Sequence, residues 1–306
     1  MYSLIAGNKR NSALLMVVMI LLVGLTAAVF GMYYGGNQYG TQYAVFFGLL
    51  GVGLATIGAL ASYYMGPQAI MAVSRAHRAD PEQERQLHNT LEEVCIAAGL
   101  PKPDLYIIED SAPNAFACGR NPEHSAIAVT RGLMDKLTRN ELQGVMAHEL
   151  SHIQNYDTRF ATLMTVLVGA LVMMCDVFWR MSLFGGRRRR SSSGGKGGGQ
   201  LELIIGLVAL LLMVLAPLLA QIIKLAASRQ REYLADANGA KITRNPESLA
   251  RALEKISGDP DPLEAANRGT QQLYIVNPLK GAHEAQSWFA THPPIRARVQ
   301  RLREMT

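Results

Sequence analysis

Residues 11–32 read NSALLMVVMILLVGLTAAVFGM, and residues 42–65 read QYAVFFGLLGVGLATIGALASYYM. No charged residue occurs between Arg10 and Arg75, and each stretch is close to the ~20 residues that a helix needs to cross a bilayer. The first apolar run also exceeds the core of a signal peptide, which is roughly 7–15 residues long. Because a second run follows directly, the sequence predicts two transmembrane helices within residues 11–65.

Two further apolar segments predict a second pair of membrane helices. Residues 160–175 and 203–223 carry no charged side chain, and an Arg-, Gly- and Ser-rich loop at 180–200 separates them. We therefore predict a transmembrane hairpin over 158–223. The first of these segments is short for a span of ~20 residues, and a buried core helix is the alternative for it. Full crossing and partial entry of the hairpin both stay open.

The distribution of basic residues predicts the orientation. Lys9 and Arg10 precede the first span, and nine Lys and Arg residues lie from Arg75 to Arg159, whereas the 33–42 connection carries none. The positive-inside rule therefore places both charged regions on the cytoplasmic side of a membrane that the chain crosses several times. We expect this membrane to be a bacterial-type inner membrane. A fully crossing hairpin would put Arg187–Arg190 outside, against the same rule.

Composition excludes two classes of protein. The chain is 49% hydrophobic and only 18% charged, below the ~25% that is usual for soluble domains. Three Cys residues are too few for a secreted disulfide scaffold. The net charge of +6 comes from six basic residues within the 180–200 loop, and the other 24 Lys and Arg equal the 24 Asp and Glu in number. A general basic face is therefore absent, and we expect the lipid bilayer but no nucleic acid as a partner.

The remaining regions, 75–157 and 224–306, have ordinary soluble composition and predict one α+β domain. Local patterns predict these elements: a helix over Glu82–Ala98 ended by Gly99, strands over Asp104–Ile108 and Ser125–Thr130 with turns at 114–122 between them, a helix opened by Thr138 and Glu141, a helix opened by Asn245 and Pro246, and a final packing helix after Pro294. The fold class is thus a mainly α membrane protein with four hydrophobic helices and an α+β domain.

The residues His148-Glu149-Leu150-Ser151-His152 form an H-E-x-x-H sequence. On a helix, two histidines four apart leave from one face, which suits two ligands of one Zn²⁺ ion. Glu149 is then placed to reach a water on that ion. Chance produces such a match in about 1% of chains of this length. A pair of ordinary surface histidines is the alternative.

A catalytic zinc ion takes a third protein ligand, and no further His follows soon after His152. Glu232 and Asp236 are four apart on a predicted helix, so one carboxylate can bind metal while the other accepts an N–H from a ligating His. A solvated helix end is the alternative, and Asp157 is the next candidate ligand. His152 and Glu232 each lie about eight residues from the apolar segments of the 158–223 hairpin, so an antiparallel hairpin brings them to one membrane face.

The motifs resemble those of a known family. HELSH at 148–152, the glutamate in REYLAD at 231–236 and the four apolar segments are similar to the HtpX-type membrane zinc endopeptidases. These enzymes are gluzincins related to the CAAX prenyl endopeptidases. Asn114–Ala117 with Gly119, and Thr291–Pro294, also resemble family motifs, so the similarity covers essentially the whole chain.

The resemblance implies a zincin-like catalytic domain that hydrolyses peptide bonds with one Zn²⁺ per chain. It implies these roles: His148, His152 and Glu232 as zinc ligands, Glu149 as catalytic base, Asp236 supporting a ligating His, Asn114 and His292 near the site, and Ser125–Thr130 as a substrate-binding edge. It also implies a quality-control or stress-response role on misfolded membrane proteins or unfolded polypeptides. A zinc aminopeptidase and a non-enzymatic membrane scaffold or transporter are the alternatives.

Overall fold

The computed structural model describes residues 2–167, 229–266, 270–276 and 293–305. Most of the predicted hairpin over 158–223 therefore lies outside the described residues, and its two apolar segments stay a prediction. In chain order the described elements are: α1 (Tyr2–Val73), β1 (His77–Arg78), α2 (Arg85–Ala98), β2 (Asp104–Ile108), β3 (Ala115–Asn121), β4 (His124–Thr130), α3 (Arg131–Lys136), α4 (Arg139–Gln154), α5 (described over 157–167), α6 (Arg229–Thr243), α7 (Pro246–Gly258), a 3₁₀ turn (Gln271–Leu273) and α8 (Ile295–Arg303).

The apolar N-terminal region is helical, as its composition predicts. Two stretches of α1, Ile5–Val29 and Gln38–Val73, are long and apolar enough to cross a membrane. In their most apolar windows only 22% and 11% of the residues are buried, unlike the core helix of a soluble protein. The two membrane helices predicted within 11–65 are therefore present as candidates among the described residues.

Glycines allow two segments of α1, around residues 24–31 and 43–52, to lie in close contact. A Cβ atom on Gly31 would lie 2.3 Å from the carbonyl oxygen of Tyr43, and one on Gly24 would lie 2.4 Å from a methyl carbon of Val52. Both separations are shorter than a van der Waals contact, and at Gly31 the atom in the way belongs to the backbone, so a larger residue there would push the two segments apart. Small residues that let two helices approach in this way are typical of membrane helix pairs.

The described residues divide into two compact units. One unit contains residues 2–13, 63–165 and the described residues from 229 onward. The other contains residues 14–62, which belong to α1, together with 166–167. The sheet and the predicted metal ligands all belong to the first unit.

Within the described residues the sheet has four strands, in the order β1-β2-β4-β3. Strands β2 and β4 pair in parallel, whereas β1 with β2 and β3 with β4 pair antiparallel. Both predicted strands are confirmed as β2 and β4. Because β4 lies between β2 and β3, however, its residues Ser125–Thr130 are not at an edge. The implication that this segment is a substrate-binding edge is wrong, and β3 is the edge strand beside it.

The sequence predicts turns over 114–122, but the structure has strand β3 there. The segment AFACGRN has few β-branched residues and contains Gly119, so its strand propensity is low. Gly119 has a φ of 151°, and a Cβ atom there would lie 2.6 Å from Ser125 Cα. The pairing register with β4 shifts between Gly119 and Asn121, so an irregular strand took the place of the predicted turns.

The predicted helix ends are confirmed where capping chemistry marks them. Gly99 ends α2 with a left-handed φ of 65°. Thr138 and Glu141 form the capping box that opens α4, and Asn245 caps α7, whose first residue is Pro246. Helix α4 packs against α2, β3, α6 and α7 and is buried along most of its length, which makes it the centre of the domain.

Candidate metal centre

Helix α4 carries the H-E-x-x-H residues into the interior of the domain. His148 and Glu149 are almost fully buried, with 1% and 2% of their surface exposed. His152 lies one turn further along the same face, and its ring centroid is 4.8 Å from that of His148. The His152 side chain is only 15% exposed, so the surface-histidine alternative is wrong for this pair.

Helix α6 brings two carboxylates to the same place. Glu232 and Asp236 lie on the face of α6 that packs against α4, and both are buried. Gly239 permits this approach, because a Cβ atom there would lie only 3.2 Å from the backbone nitrogen of His148. The alternative of a solvated helix end is excluded for Glu232 and Asp236.

One nitrogen of each histidine and the Glu232 carboxylate converge on a common point. The Nε2 atoms of His148 and His152 are 3.2 Å apart, and they lie 3.8 and 3.6 Å from the nearest Glu232 oxygens. Ligand atoms at ~2.0–2.1 Å from a tetrahedral zinc ion are separated by about 3.3 Å. The separations and the N₂O donor set therefore fit a metal ion of this size.

A second carboxylate orients each histidine. His148 Nδ1 is 3.0 Å from Asp236 Oδ1, and His152 Nδ1 is 3.0 Å from Asp157 Oδ2. A proton on each Nδ1 is then shared with a carboxylate, which leaves each Nε2 lone pair directed to the shared centre. Asp157, the alternative third ligand, thus contacts the Nδ1 of His152, on the side of the ring away from the shared centre.

Arg298 of α8 also reaches this centre, which the sequence analysis did not predict. Its guanidinium is fully buried, and Nη1 lies 3.4 Å from Glu232 Oε2. The Nε and Nη2 atoms donate to the two Asp236 oxygens at 2.8 and 2.7 Å. Nη1 also donates to the Ile275 carbonyl oxygen at 3.1 Å. One cation therefore contacts both carboxylates of α6.

A signal for Arg298 was present in the sequence. The spacing of the apolar residues in the final helix predicts a buried stripe of Ile295, Val299 and Leu302. Position 298 is three residues after Ile295 and four before Leu302, so it lies on the same helical face. A charged residue on a buried face requires a buried partner of opposite charge, and that requirement pointed to a carboxylate cluster.

Burial and charge shift the pKa values of the central residues. Burial raises the pKa of the Glu149 carboxyl to about 7, and the charge of Glu232 acts in the same direction. Burial lowers the pKa of His148. Burial also opposes charge on His152, but the hydrogen bond to Asp157 and the charge of Glu232 outweigh it and raise its pKa to about 9. Near neutral pH, Glu149 can therefore take up and release a proton.

A small cavity of about 60 Å³ opens beside the convergence point. Glu149 and Ala117 of β3 both line it. The lining combines the polar centre with apolar side chains from α5 and the 3₁₀ region, chiefly Phe160, Ala161, Leu273 and Ile275. The cavity therefore places an acid–base group, a candidate metal site and a strand edge side by side.

The edge of β3 is partly paired within the chain. Phe116 forms an antiparallel bridge with Tyr274, and the Ile275 N–H donates to the Ala115 carbonyl oxygen at 2.9 Å. Ala117, the next residue along β3, lines the cavity. Two residues further along β3, the Gly119 N–H donates to Thr162 Oγ1 of α5 at 3.1 Å, so the part of this edge that faces the cavity is at Ala117.

The other two predicted site residues have different outcomes. The side chain of Asn114 donates from Nδ2 to the Val276 carbonyl oxygen at 2.9 Å, so it holds the segment that pairs with β3. His292 lies outside the described residues, and its place near the site stays a prediction. The structure brings together His148, Glu149, His152, Glu232 and Asp236.

Comparisons with known proteins agree with this geometry. The sequence model of peptidase family M48 matches residues 81–306. A protease HtpX homolog of Dictyoglomus thermophilum is 42% identical over 310 residues, which cover 99% of this chain and 94% of that protein. A protease HtpX homolog of Listeria monocytogenes serovar 1/2a is 40% identical over the full length of both chains. The crystal structure of S. mikatae Ste24p is similar in fold, with a TM-score of 0.50, 21% identity, and coverage of 99% of this chain and 67% of that one.

Proposed function

Because the chain belongs to peptidase family M48 and is a membrane-anchored metalloendopeptidase, we propose that its metal is a single Zn²⁺ ion and that its substrates are misfolded membrane proteins. The ligands in this proposal are His148, His152 and Glu232. The convergence of their ligand atoms within 4.8 Å of one another, on two separate helices, is the observation that carries it.

The residues around the convergence point suit peptide hydrolysis. A bound Zn²⁺ ion supplies a Lewis acid that activates water and polarises the scissile carbonyl. Glu149 accepts the proton of the attacking water and then passes it to the leaving amine, for which a pKa of about 7 is well placed. Asp236 and Asp157 hold the two histidine rings in the orientation that ligation requires.

Substrate binding follows from the strand order. An extended peptide adds to an exposed strand through main-chain hydrogen bonds, with little demand on its sequence. Strand β3 is the edge strand, and Ala117 on it lies in the cavity beside Glu149. We therefore assign the substrate edge to β3 at Ala117, since the Gly119 N–H two residues further on already donates to Thr162 Oγ1 at 3.1 Å. A main-chain mode of binding suits unfolded polypeptide substrates.

The proposed location is a bacterial inner membrane, with the site facing the cytoplasm. Lys9, Arg10 and the nine basic residues from Arg75 to Arg159 support this orientation, since the 33–42 connection carries no Lys or Arg. In this proposal the 158–223 region adds a second membrane hairpin. A cytoplasmic site next to the bilayer suits quality control of damaged membrane proteins during stress.

The experiment uses the full chain in detergent, loaded with Zn²⁺, and an unfolded membrane protein as substrate. We expect internal cleavage that a chelator abolishes and that added Zn²⁺ restores. His148→Ala should be inactive, whereas His124→Ala, at an exposed position on β4, should cleave like the parent. Full activity of His148→Ala would contradict the ligand assignment.

A substrate with a blocked N-terminus tests the position of cleavage. An aminopeptidase could share the H-E-x-x-H motif and a distant Glu, but it requires a free N-terminal amine. We expect the blocked substrate to be cut at internal bonds at the same rate as the free one. Cleavage that is restricted to free N-termini would contradict the substrate proposal and leave the metal site intact.

A further inference from the structure

The residues at the start of the first membrane helix reach the candidate metal centre. Asn8 is buried, with 7% of its surface exposed. Its Nδ2 donates to Asp157 Oδ1 at 2.6 Å and to the Asn155 carbonyl oxygen at 2.9 Å, although Asn8 and Asp157 are 149 residues apart in sequence. The other oxygen of Asp157, Oδ2, is 3.0 Å from His152 Nδ1. One carboxylate therefore joins the N-terminal segment to a candidate ligand.

The same segment contacts every residue of the turn that follows α4. Tyr156 in this turn has a φ of 61°, a left-handed conformation that a bulky side chain rarely adopts. Lys9 Nζ lies 4.2 Å from the centroid of the Tyr156 ring, while Asn8 binds Asn155 and Asp157 on either side. Strained backbone of this kind persists where its surroundings hold it in place. The N-terminal segment is part of those surroundings.

The direction of the Asp157 carboxylate determines what it can do for His152. A hydrogen bond from Asn8 to Oδ1 fixes the carboxylate plane, so that Oδ2 faces the Nδ1–H of the imidazole. Arg231 also lies nearby, but its Nη1 is 3.8 Å from Oδ1 and therefore beyond hydrogen-bond length. Of these two groups, the amide of Asn8, at 2.6 Å, is therefore the one within hydrogen-bond distance of this oxygen.

We propose that Asn8 is a positioning residue of the metal centre, which orients Asp157 and, through Asp157, the metal-binding imidazole of His152. The segment that begins the first membrane helix thereby completes the site, and metal binding depends on its docking. This inference rests on the proposed role of His152 as a ligand. Asn8 touches neither metal nor substrate, so its effect passes entirely through the carboxylate of Asp157.

A purely structural role, in which Asn8 only anchors α1, makes a different prediction. Anchoring would weaken the fold without regard to Asp157, whereas positioning acts only while Asp157 is present. A double-mutant cycle on Zn²⁺ affinity separates the two. Ser12→Ala is the matched control, because Ser12 is also buried in α1 and its hydroxyl donates only to the Asn8 carbonyl oxygen of the same helix.

The measurement is Zn²⁺ affinity of the metal-free, detergent-solubilised full chain, by competition with a chromophoric chelator. We expect Asp157→Ala to lose about 10–100-fold in affinity, as removal of a carboxylate behind a ligand does. Asn8→Ala should lose about tenfold, the low end of that range, and the double variant should be no weaker than Asp157→Ala alone. Ser12→Ala should match the parent. The visible spectrum of the Co²⁺-loaded protein should change in Asn8→Ala and stay unchanged in Ser12→Ala.

Parental Zn²⁺ affinity in Asn8→Ala, or additive losses in the double variant, would overturn the proposal. If Asn8→Ala does not fold, the double-mutant cycle can be measured with Asn8→Ser instead. The serine side chain is shorter than that of asparagine, so its hydroxyl does not reach Asp157 from the same backbone position. His152→Ala separates the two levels of inference. If His152→Ala still binds Zn²⁺, both the proposed metal site and this inference are wrong. If His152→Ala loses Zn²⁺ while Asn8→Ala binds it like the parent, only this inference is wrong.

Discussion

Arg298 donates two hydrogen bonds to Asp236, from Nε to Oδ2 at 2.8 Å and from Nη2 to Oδ1 at 2.7 Å. Both residues are buried, with 0% of Arg298 and 2% of Asp236 exposed. Because Asp236 Oδ1 also lies 3.0 Å from His148 Nδ1, the Asp236 carboxylate links the C-terminal helix to a candidate metal ligand. Removal of one partner of such a pair leaves an uncompensated charge in the interior.

Arg298→Met should therefore lower the free energy of unfolding of the metal-free protein by about 3–5 kcal/mol. Arg298→Lys keeps the charge but loses the paired hydrogen bonds, so its loss should be smaller. Denaturant unfolding in detergent measures both. Arg296→Met, at an exposed position on the same helix, is the control. Equal stability of Arg298→Met and Arg296→Met would show that the pair does not hold the fold.

Glu149→Gln should keep zinc and lose hydrolysis. The Glu149 carboxylate is not among the converging ligand atoms, so metal content should stay near one per chain. Turnover should fall by orders of magnitude, because the amide can neither accept nor return the proton. Metal analysis and a cleavage assay on the same sample test both parts, with Glu123→Gln as the exposed control. A cleavage rate near that of the parent would refute the assignment of the base.

Glu232→Ala should lose zinc, whereas Asp236→Ala should weaken zinc binding by about 10–100-fold. The first change removes a ligand and leaves two histidines, and the second removes only the group that orients His148. Metal analysis after dialysis at several free Zn²⁺ concentrations distinguishes the two levels of loss. Full zinc occupancy in both variants would move the third ligand elsewhere, with Asp157 the first residue to examine.

The raised pKa of His152 predicts opposite pH dependences for stability and zinc binding. Its pKa is about 9 in the metal-free native state, above the ordinary value of 6.5. The contribution to stability is therefore fully present below pH 6.5 and is lost as the pH rises through about 9. Zinc affinity should rise over the same interval, because the proton stops competing for His152.

The free energy of unfolding and the zinc affinity are each measured between pH 6.5 and 9, and the two should change in opposite directions. Asp157→Asn should make both stability and zinc affinity less dependent on pH, because the hydrogen bond to Asp157 is the largest cause that raises the pKa of His152. His124→Ala should follow the parent at every pH, since His124 is exposed on β4. A zinc affinity that does not change with pH would contradict a protonated His152 in the metal-free protein.

Cysteine labelling tests the topology. Cysteines introduced at Ser3, Asn37, Ser193 and Thr306 are treated from outside with an impermeant reagent, and the parent chain serves as the blank. If the predicted 158–223 hairpin crosses fully, positions 37 and 193 alone should react. Reaction at 37 alone would show a hairpin that enters and returns. Reaction at Thr306 would contradict a cytoplasmic site, because Glu232 and His148 must share one compartment.

Local chemistry in the sequence predicted much of the fold. The capping box at Thr138 and Glu141 marked the start of α4, and Gly99 marked the end of α2, because helix ends are set by residues within one turn. Strand β3 was missed for the same reason. The segment AFACGRN has little strand propensity of its own, and its pairing with β4 and with Tyr274 outweighs that propensity.

The spacing of His148, Glu149 and His152 is a local property, since four residues on a helix place two side chains on one face wherever the helix lies. That spacing, with the long uncharged stretch between Arg10 and Arg75, was sufficient to predict a metal site in a membrane protein. Only the tertiary structure determined which groups hydrogen-bond to the ligating histidines and to the carboxylates that orient them. Burial obliges a carboxylate to find a donor, but it does not specify the donor. Folding supplied Arg298 for Asp236 and Asn8 for Asp157 from opposite ends of the chain.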